Sequence, residues 1–365
     1  RFGIGDRRGI LGINNNDCDW AEISVMSHRR AILIGVSFLF LLFMVLALAF
    51  GYYAVTPKDR SGRASIFVVR HGVSLAEVAS ELQKEGFINN RHLFVVWGQL
   101  LGYSKKIKSG EYRISASMPP VNILAILAKG AIVTHTVTIP EGYTMEQIAR
   151  LLEEKGIVSA KEFLRVCTDP AVVVSYGLEG QSLEGYLYPD SYQLSRGLPA
   201  KKVVDVMVHR FFEVVSPYLG RMKEKGMSLR EVVTLASIVE KETGLASERP
   251  LIASVFLNRL KKGMRLESDP TVIYAIKNFN GNLTRKDLNR RTPYNTYVIR
   301  GLPPGPIANP GIDSIRAVLY PADTSYLYFV SKNDGSHYFS STLAEHNRAV
   351  ARYQKHRTFR VKKRP

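Results

Sequence analysis

Apolar residues run without a charge from 31 to 55, AILIGVSFLFLLFMVLALAFGYYAV. About 20 such residues cross a hydrocarbon core, and a run with no polar face predicts a spanning helix rather than a core helix. Tyr52 and Tyr53 at its end suit the aromatic belt of the interface. The run exceeds the apolar region of a signal peptide and no A-x-A site follows it, so an uncleaved anchor is expected.

Past a linker at 56–65 the period shortens. The stretch 66-IFVVRHGVSLAEVASELQKEGFINNRHLF-94 alternates at Phe67 and Val69, turns at Gly72, and then sets Leu75, Val78, Ala79 and Leu82 on one helical face. The stretch 136-TVTIPEGYTMEQIARLLEEKGIVSAKEFL-164 repeats the pattern 70 residues later without a gap, Gly72 matching Gly142, Leu82 matching Leu152 and Gly86 matching Gly156. Ser74 with Glu77, and Thr144 with Gln147, predict capping boxes. Gly86 and Gly156 stop these helices, and a second short helix starts near Arg91 or Lys161. The first copy continues through 110–130 as a strand, a turn and a helix. An internal repeat of this kind is one supersecondary unit used twice. Its strand–helix–helix order resembles LysM, a small module that binds N-acetylglucosamine-containing glycans; a spacer that never touches sugar is the alternative.

The segment 228-SLREVVTLASIVEKETG-244 predicts a helix opened by Ser228 with Glu231 and stopped by Gly244. Val232, Leu235, Ala236, Ile238 and Val239 form its apolar face, while Thr234, Ser237 and Lys241 fall on the polar side. At about 100° per residue, Glu240 and Glu242 border the apolar face from opposite flanks. A carboxyl in such a place resists ionisation and can donate a proton to a glycosidic oxygen. An ion pair with a nearby Arg or Lys is the structural alternative, and the wheel does not choose between the two glutamates.

The net charge of +18 favours anionic partners: nucleic acid, an anionic membrane or a cell-wall polymer. No zinc spacing, aromatic RNA-binding motif or recognition helix accompanies it, so no nucleic acid is expected. Part of the charge is a solvated tail, 351–365. Cys18 and Cys167 flank the apolar run, would lie on opposite sides of a bilayer, and cannot pair. His28, Arg29 and Arg30 abut the span, which favours a cytoplasmic N-terminus. The chain begins with Arg1, and Met26 would be a natural start, so 1–25 are expected to be an over-extended reading frame.

Five segments carry a closer likeness: 183-LEGYLYPDSY-192, 235-LASIVEKETG-244, 254-SVFLNRLKKGMRLESDPTVIYA-275, 293-PYNTYVIRGLPPGPIANPG-311 and 326–350. From about 31 to 350 the chain resembles the YceG-like endolytic murein transglycosylases. The resemblance implies a lyase that cuts the β-1,4 bond between N-acetylmuramic acid and N-acetylglucosamine within nascent peptidoglycan strands. The muramyl 6-hydroxyl, not water, attacks the anomeric carbon and leaves a 1,6-anhydro end, so one carboxyl can carry both proton transfers. The resemblance assigns that carboxyl to the first glutamate of V-E-K-E, Glu240.

Glu184, Tyr186, Tyr188, Ser237, Asp269, Tyr294, Asn295, Thr296, Tyr297 and Pro304 are the expected substrate contacts, with the Pro/Gly-rich 301–311 as a rigid cleft loop. Glu267 stands where the family usually has glutamine. No cofactor and no metal are expected. Penicillin-binding proteins or other glycan synthases at the membrane are the expected partners. The fold expectation is α+β. A cytoplasmic segment (1–30) precedes a transmembrane helix (31–55) and a linker (56–65). A LysM-like subdomain (66–134), a catalytic domain (135–350) opening with the second repeat copy, and the tail follow. A plasma-membrane protein with an extracytoplasmic active site results. A lysozyme-type hydrolase and a non-catalytic glycan-binding scaffold are the rivals.

Overall fold

A computed structural model describes residues 16–70 and 72–354. The expectations for residues 1–15 and for the tail from 355 lie outside them, as does the side chain of Cys18. The chain divides into two compact units, one holding the residues up to Phe67 with Gly72–Lys108 and Tyr112–Ala131, the other Val68–His71, Ser109–Glu111 and the chain from Ile132 on.

The first unit opens with α1 (Asn16–Val55), whose stretch Ile32–Val55 has mean hydropathy 2.9 and is long and apolar enough to cross a membrane. Along the chain follow β1 (Ala64–Val69), α2 (Leu75–Lys84), α3 (Arg91–Leu100), β2 (Gly110–Ser115) and α4 (Pro120–Lys129), of which Val68, Val69, Gly110 and Glu111 are counted with the second unit. The strands β1 and β2 form a two-stranded sheet. The expected capping box opens α2, Asn90 caps α3 by accepting the His92 and Leu93 N–H groups, and Gly130 ends α4 in the left-handed region. Val78, Ala79, Leu82, Phe94, Ile123, Leu124 and Leu127 are buried between the three helices. Gly98 permits that approach, since a Cβ there would lie 2.6 Å from Leu75 Cδ2.

The second unit repeats the motif as β3 (His135–Thr138), α5 (Met145–Glu154), α6 (Ala160–Cys167), the short α7 (Pro170–Ser175) and β4 (Ser191–Leu194). Strand β4 pairs antiparallel with β3, Val137 facing Tyr192. Thr144 and Gln147 make the second capping box. Both copies share the expected strand–helix–helix order, and each is closed by its own two-stranded sheet, the second only after the extra helix α7 and a longer connection.

The remainder is mainly helical: α8 (Ala200–Val215), α9 (Leu219–Glu224), α10 (Leu229–Glu242), α11 (Arg249–Lys261), α12 (Asp269–Tyr274), α13 (Arg285–Leu288) and α14 (Ile312–Leu319). The hairpin β5 (Tyr328–Ser331) and β6 (His337–Ser340) and the helix α15 (Leu343–Tyr353) complete it. The fold is mixed α+β, with one apolar helix near its N-terminus.

Helix α10 is the centre of this unit, with every residue from Val232 to Val239 buried. That corrects the amphipathic expectation. Thr234 and Ser237 do not face solvent; the Ser237 hydroxyl donates to the Thr234 carbonyl and accepts the Ile307 N–H. The loop 301–311 covers this side, and a small hydroxyl that bonds locally tolerates the burial. The C-terminal stop also differs. α10 ends because Thr243 turns extended, at φ −144° and ψ 139°, and Gly244 needs no left-handed conformation.

Gly185, before the aromatic run Tyr186–Tyr188, has φ +90°, and a Cβ there would lie 2.5 Å from Pro306 Cγ and 2.9 Å from Val233 Cγ1. Gly185→Ala is expected to cost about 2–4 kcal/mol, from backbone strain plus overpacking. Gly220→Ala, on an open face of α9, should be neutral or slightly stabilising. Thermal unfolding of the two variants in detergent checks the contrast.

Candidate active site

The two glutamates of α10 stand in its last turn and in different circumstances. Glu240 Oε1 accepts from Arg249 Nη2 at 2.9 Å, and its Oε2 accepts the Gly311 N–H at 3.1 Å and the Ser314 hydroxyl at 2.7 Å. Gly311 is the N-cap of α14 and has no side chain to satisfy that helix terminus, so Glu240 supplies the acceptor. Arg249, whose side chain is 10% exposed, also reaches Glu141 at 3.4 Å and Asp313 at 3.7 Å. Its Nε is buried and has no hydrogen-bond partner among the described residues. Burial and the charge of Glu240 raise the Glu141 carboxyl above its ordinary value.

Glu242 has no ion pair among the described residues. Its one hydrogen bond comes from the Ser268 hydroxyl, at 2.5 Å. Burial pushes the Glu242 carboxyl up to about 7; the Ser268 hydroxyl and the charge of Arg259 pull the other way, and Asp269 adds to the rise. Ser268 is held in turn, its N–H donating to Thr296 Oγ1 at 2.9 Å. Next to it, the Tyr297 hydroxyl donates to Asp269 Oδ1 at 2.6 Å.

Glu184 is a third buried carboxyl. It accepts the Met145 N–H at the start of α5, Asn309 Nδ2 and the Tyr274 hydroxyl. Burial pushes it up to about 8, against those donors. Asn309 is a clamp, since its Oδ1 accepts both the Gly185 and the Leu187 N–H at 2.9 Å. Beyond Glu184 opens a pocket of about 250 Å³, lined among others by Tyr186, Arg230, Tyr294 and Pro304. The Tyr294 ring packs 5.0 Å from that of Tyr274, and Arg230 donates to the Pro304 carbonyl.

The expected contact residues thus fall into two sets. Asp269, Tyr294, Tyr297 and Pro304 are exposed or half-buried and remain reachable. Ser237, Asn295 and Thr296 are buried and bonded within the protein; Asn295 Nδ2 holds the carbonyls of Leu288 and Arg290, and Thr296 meets Thr271 and Ser268. Tyr186 is buried with its ring edge-on to Phe211. Tyr188 is buried, and burial together with the charge of Glu141 raises its hydroxyl above the ordinary value. Glu267 sits at φ +52° and pairs with Arg259 at 3.0 Å.

Arg249, Glu141, Asn309 and Ser268 were not legible as site residues. Arg249 lies beyond a helix break from Glu240, where periodicity carries no information. Glu141 had one signal, since it falls in the repeat opposite His71, where the two copies differ in kind. Among the described residues no group of three or more His, Cys, Asp or Glu is arranged to hold a metal ion.

Residues 67–352 match the model of the YceG-like family. An endolytic murein transglycosylase of Bacillus subtilis is 32% identical, over 84% of this chain and 90% of that protein. One from Streptococcus pneumoniae is 30% identical, over 90% of this chain but 66% of its own greater length. A solved yceG-like protein of Listeria monocytogenes superposes with a TM-score of 0.55 at 34% identity, covering 79% of this chain and all of that one.

Arg249→Met should strand the Glu240 carboxylate and cost about 3–5 kcal/mol. Adding Glu240→Gln should recover much of that loss, because the uncompensated charge is gone. A double-mutant cycle by denaturant unfolding tests the pair; additive losses would show that the two groups do not depend on each other.

Proposed function

The chain belongs to the YceG-like family, and on that premise we propose that it is an endolytic murein transglycosylase. It cleaves the β-1,4 bond between N-acetylmuramic acid and N-acetylglucosamine inside a glycan strand. One carboxyl protonates the leaving oxygen, then accepts the proton of the muramyl 6-hydroxyl as the anhydro ring closes. The observation that carries the mechanism is the contrast at the end of α10: one carboxylate held by a guanidinium, one carboxyl lifted to about 7.

A general acid is most effective when its pKa lies near the working pH. Glu242 meets that condition, lacks a cationic partner within bonding distance among the described residues, and neighbours the reachable Asp269 and Tyr297. It is our choice of proton donor. The resemblance points to Glu240, and its place among Glu141, Arg249 and Asp313 keeps it as the second reading. Asp269, Tyr294, Tyr297 and the 301–311 loop are the surfaces offered to sugar, while the buried Ser237, Asn295 and Thr296 support them. The β1–α2–α3–β2 unit is read as LysM-like. The span is read as a single-pass anchor with the N-terminus cytoplasmic, which puts the enzyme beside the glycan synthases, penicillin-binding proteins among them.

Purified wild type, Glu240→Gln and Glu242→Gln are to be incubated with peptidoglycan strands and the products weighed. Glu242→Gln should lose at least about 100-fold in the release of anhydro ends. Loss in Glu240→Gln alone would move the donor to Glu240. Full activity in both would leave a glycan-binding scaffold, and ends heavier by one water would mean a hydrolase.

The donor must be protonated, so kcat/KM should fall as pH rises through about 7. The Ser268 hydroxyl stabilises the ionised form of Glu242, so Ser268→Ala should raise its pKa and carry the alkaline limb to higher pH. A limb that stays in place argues against Glu242.

A further inference from the structure

The last turns of α1 are held by the unit that follows. The Phe50 ring stacks on Trp97 with centroids 4.7 Å apart, and Trp97 Nε1 donates to the Phe50 carbonyl at 3.2 Å. The Tyr53 hydroxyl donates to the Asn90 carbonyl at 2.6 Å, and Ala54 is buried. The order is reversed between the helices: Asn90, at the start of α3, meets the later residue of α1, and Trp97 the earlier one. Helix α3 therefore descends as α1 rises.

The level of that contact follows from helix geometry. Twenty residues from Ile32 at about 1.5 Å each cover about 30 Å, the thickness of a hydrocarbon core, and end at Gly51. Phe50 and Trp97 thus meet where the hydrocarbon stops, and an indole is at home there. Beyond Trp97, α3 continues toward the bilayer. Its inner face is buried through Phe94 and Gly98, while Val96, Leu100 and Leu101 are exposed by 41%, 67% and 37%. The loop that follows exposes Lys105, Lys106 and Lys108, and no Asp or Glu occurs between Arg91 and Ser109.

We propose that the C-terminal end of α3 and the loop to Lys108 form a bilayer-binding surface. Val96, Leu100 and Leu101 enter the headgroup boundary of the leaflet from which α1 emerges, and the three lysines face anionic phospholipid. Apolar side chains beneath a basic rim are the composition of interfacial segments, and the attraction of each lysine depends on anionic lipid. The occupant is fixed by continuity with α1 and by charge. This assignment rests on the reading of α1 as a membrane span.

The full chain, with Cys18→Ser and its buried Cys167 retained, is to be reconstituted in phosphatidylcholine vesicles with or without phosphatidylglycerol. An environment-sensitive fluorophore is placed singly at Phe43→Cys, Leu100→Cys or Lys84→Cys. Lys84 ends α2 near Gln83, whose Oε1 accepts the Arg91 N–H, and so lies at the far end of α3. Spin-labelled lipids should quench Phe43→Cys from the bilayer interior and Leu100→Cys from the headgroup region, the latter at least about twofold more than Lys84→Cys. Replacing Lys105, Lys106 and Lys108 by Gln should weaken quenching at position 100 only in the anionic vesicles.

Position 100 quenched no more than position 84 overturns the proposal. So does a label there that is shielded from aqueous quencher yet untouched by lipid, which would mean a protein partner. Equal quenching at position 100 in both vesicles removes the role of the lysines. An unquenched label at Phe43 sinks the anchor itself, so the two failures are distinct.

Discussion

A carboxyl taken out of water must be matched by donors or keep its proton, and the two carboxyls at the end of α10 are matched unequally. Its middle is enclosed over eight consecutive residues, Val232 to Val239, so its polar chemistry is confined to the last turn. There Glu240 is matched by Arg249, by the Gly311 N–H and by Ser314, which ties α10 to α11 and α14. Two residues on, Glu242 has a single hydroxyl partner and resists ionisation. Helix geometry makes such a difference available, because positions i and i+2 point to different sides.

The same principle organises the shell around these groups. Glu184 sits at the N-terminus of α5 and is bonded by Asn309, which also holds two backbone N–H groups of the aromatic segment. The repeat copy that begins the second unit thus contributes to the site through the first turn of its helix and through Glu141 in the preceding loop. The first copy has the same caps and the same turn glycines, but Gly98 lets α3 pack tightly, and Trp97 joins it to α1. One supersecondary unit therefore serves two ends, one against the apolar helix α1 and one against an acidic cluster.

Much of this was legible in local sequence. The apolar run, the two repeats, three capping boxes and the start of the helix after Ser228 are short-range features, decided by residues within one or two turns of each other. The absence of helix over 301–311 was legible for the same reason, since proline and glycine act on their own backbone. What failed on the face of α10 was tertiary. Thr234 and Ser237 read as a solvated flank because their burial comes from a loop some seventy positions on, and a helical wheel cannot see what packs against it.

By itself, then, the sequence determined that an apolar span precedes a duplicated capped motif and a helix ending in two glutamates, because periodicity and capping are local physics. Only the tertiary structure decided how those glutamates differ. Arg249, Gly311, Ser314 and Ser268 reach them across helix breaks and loops. The ionisation of a carboxyl depends on which distant groups share its low-dielectric surroundings, and nothing in the spacing of α10 states that.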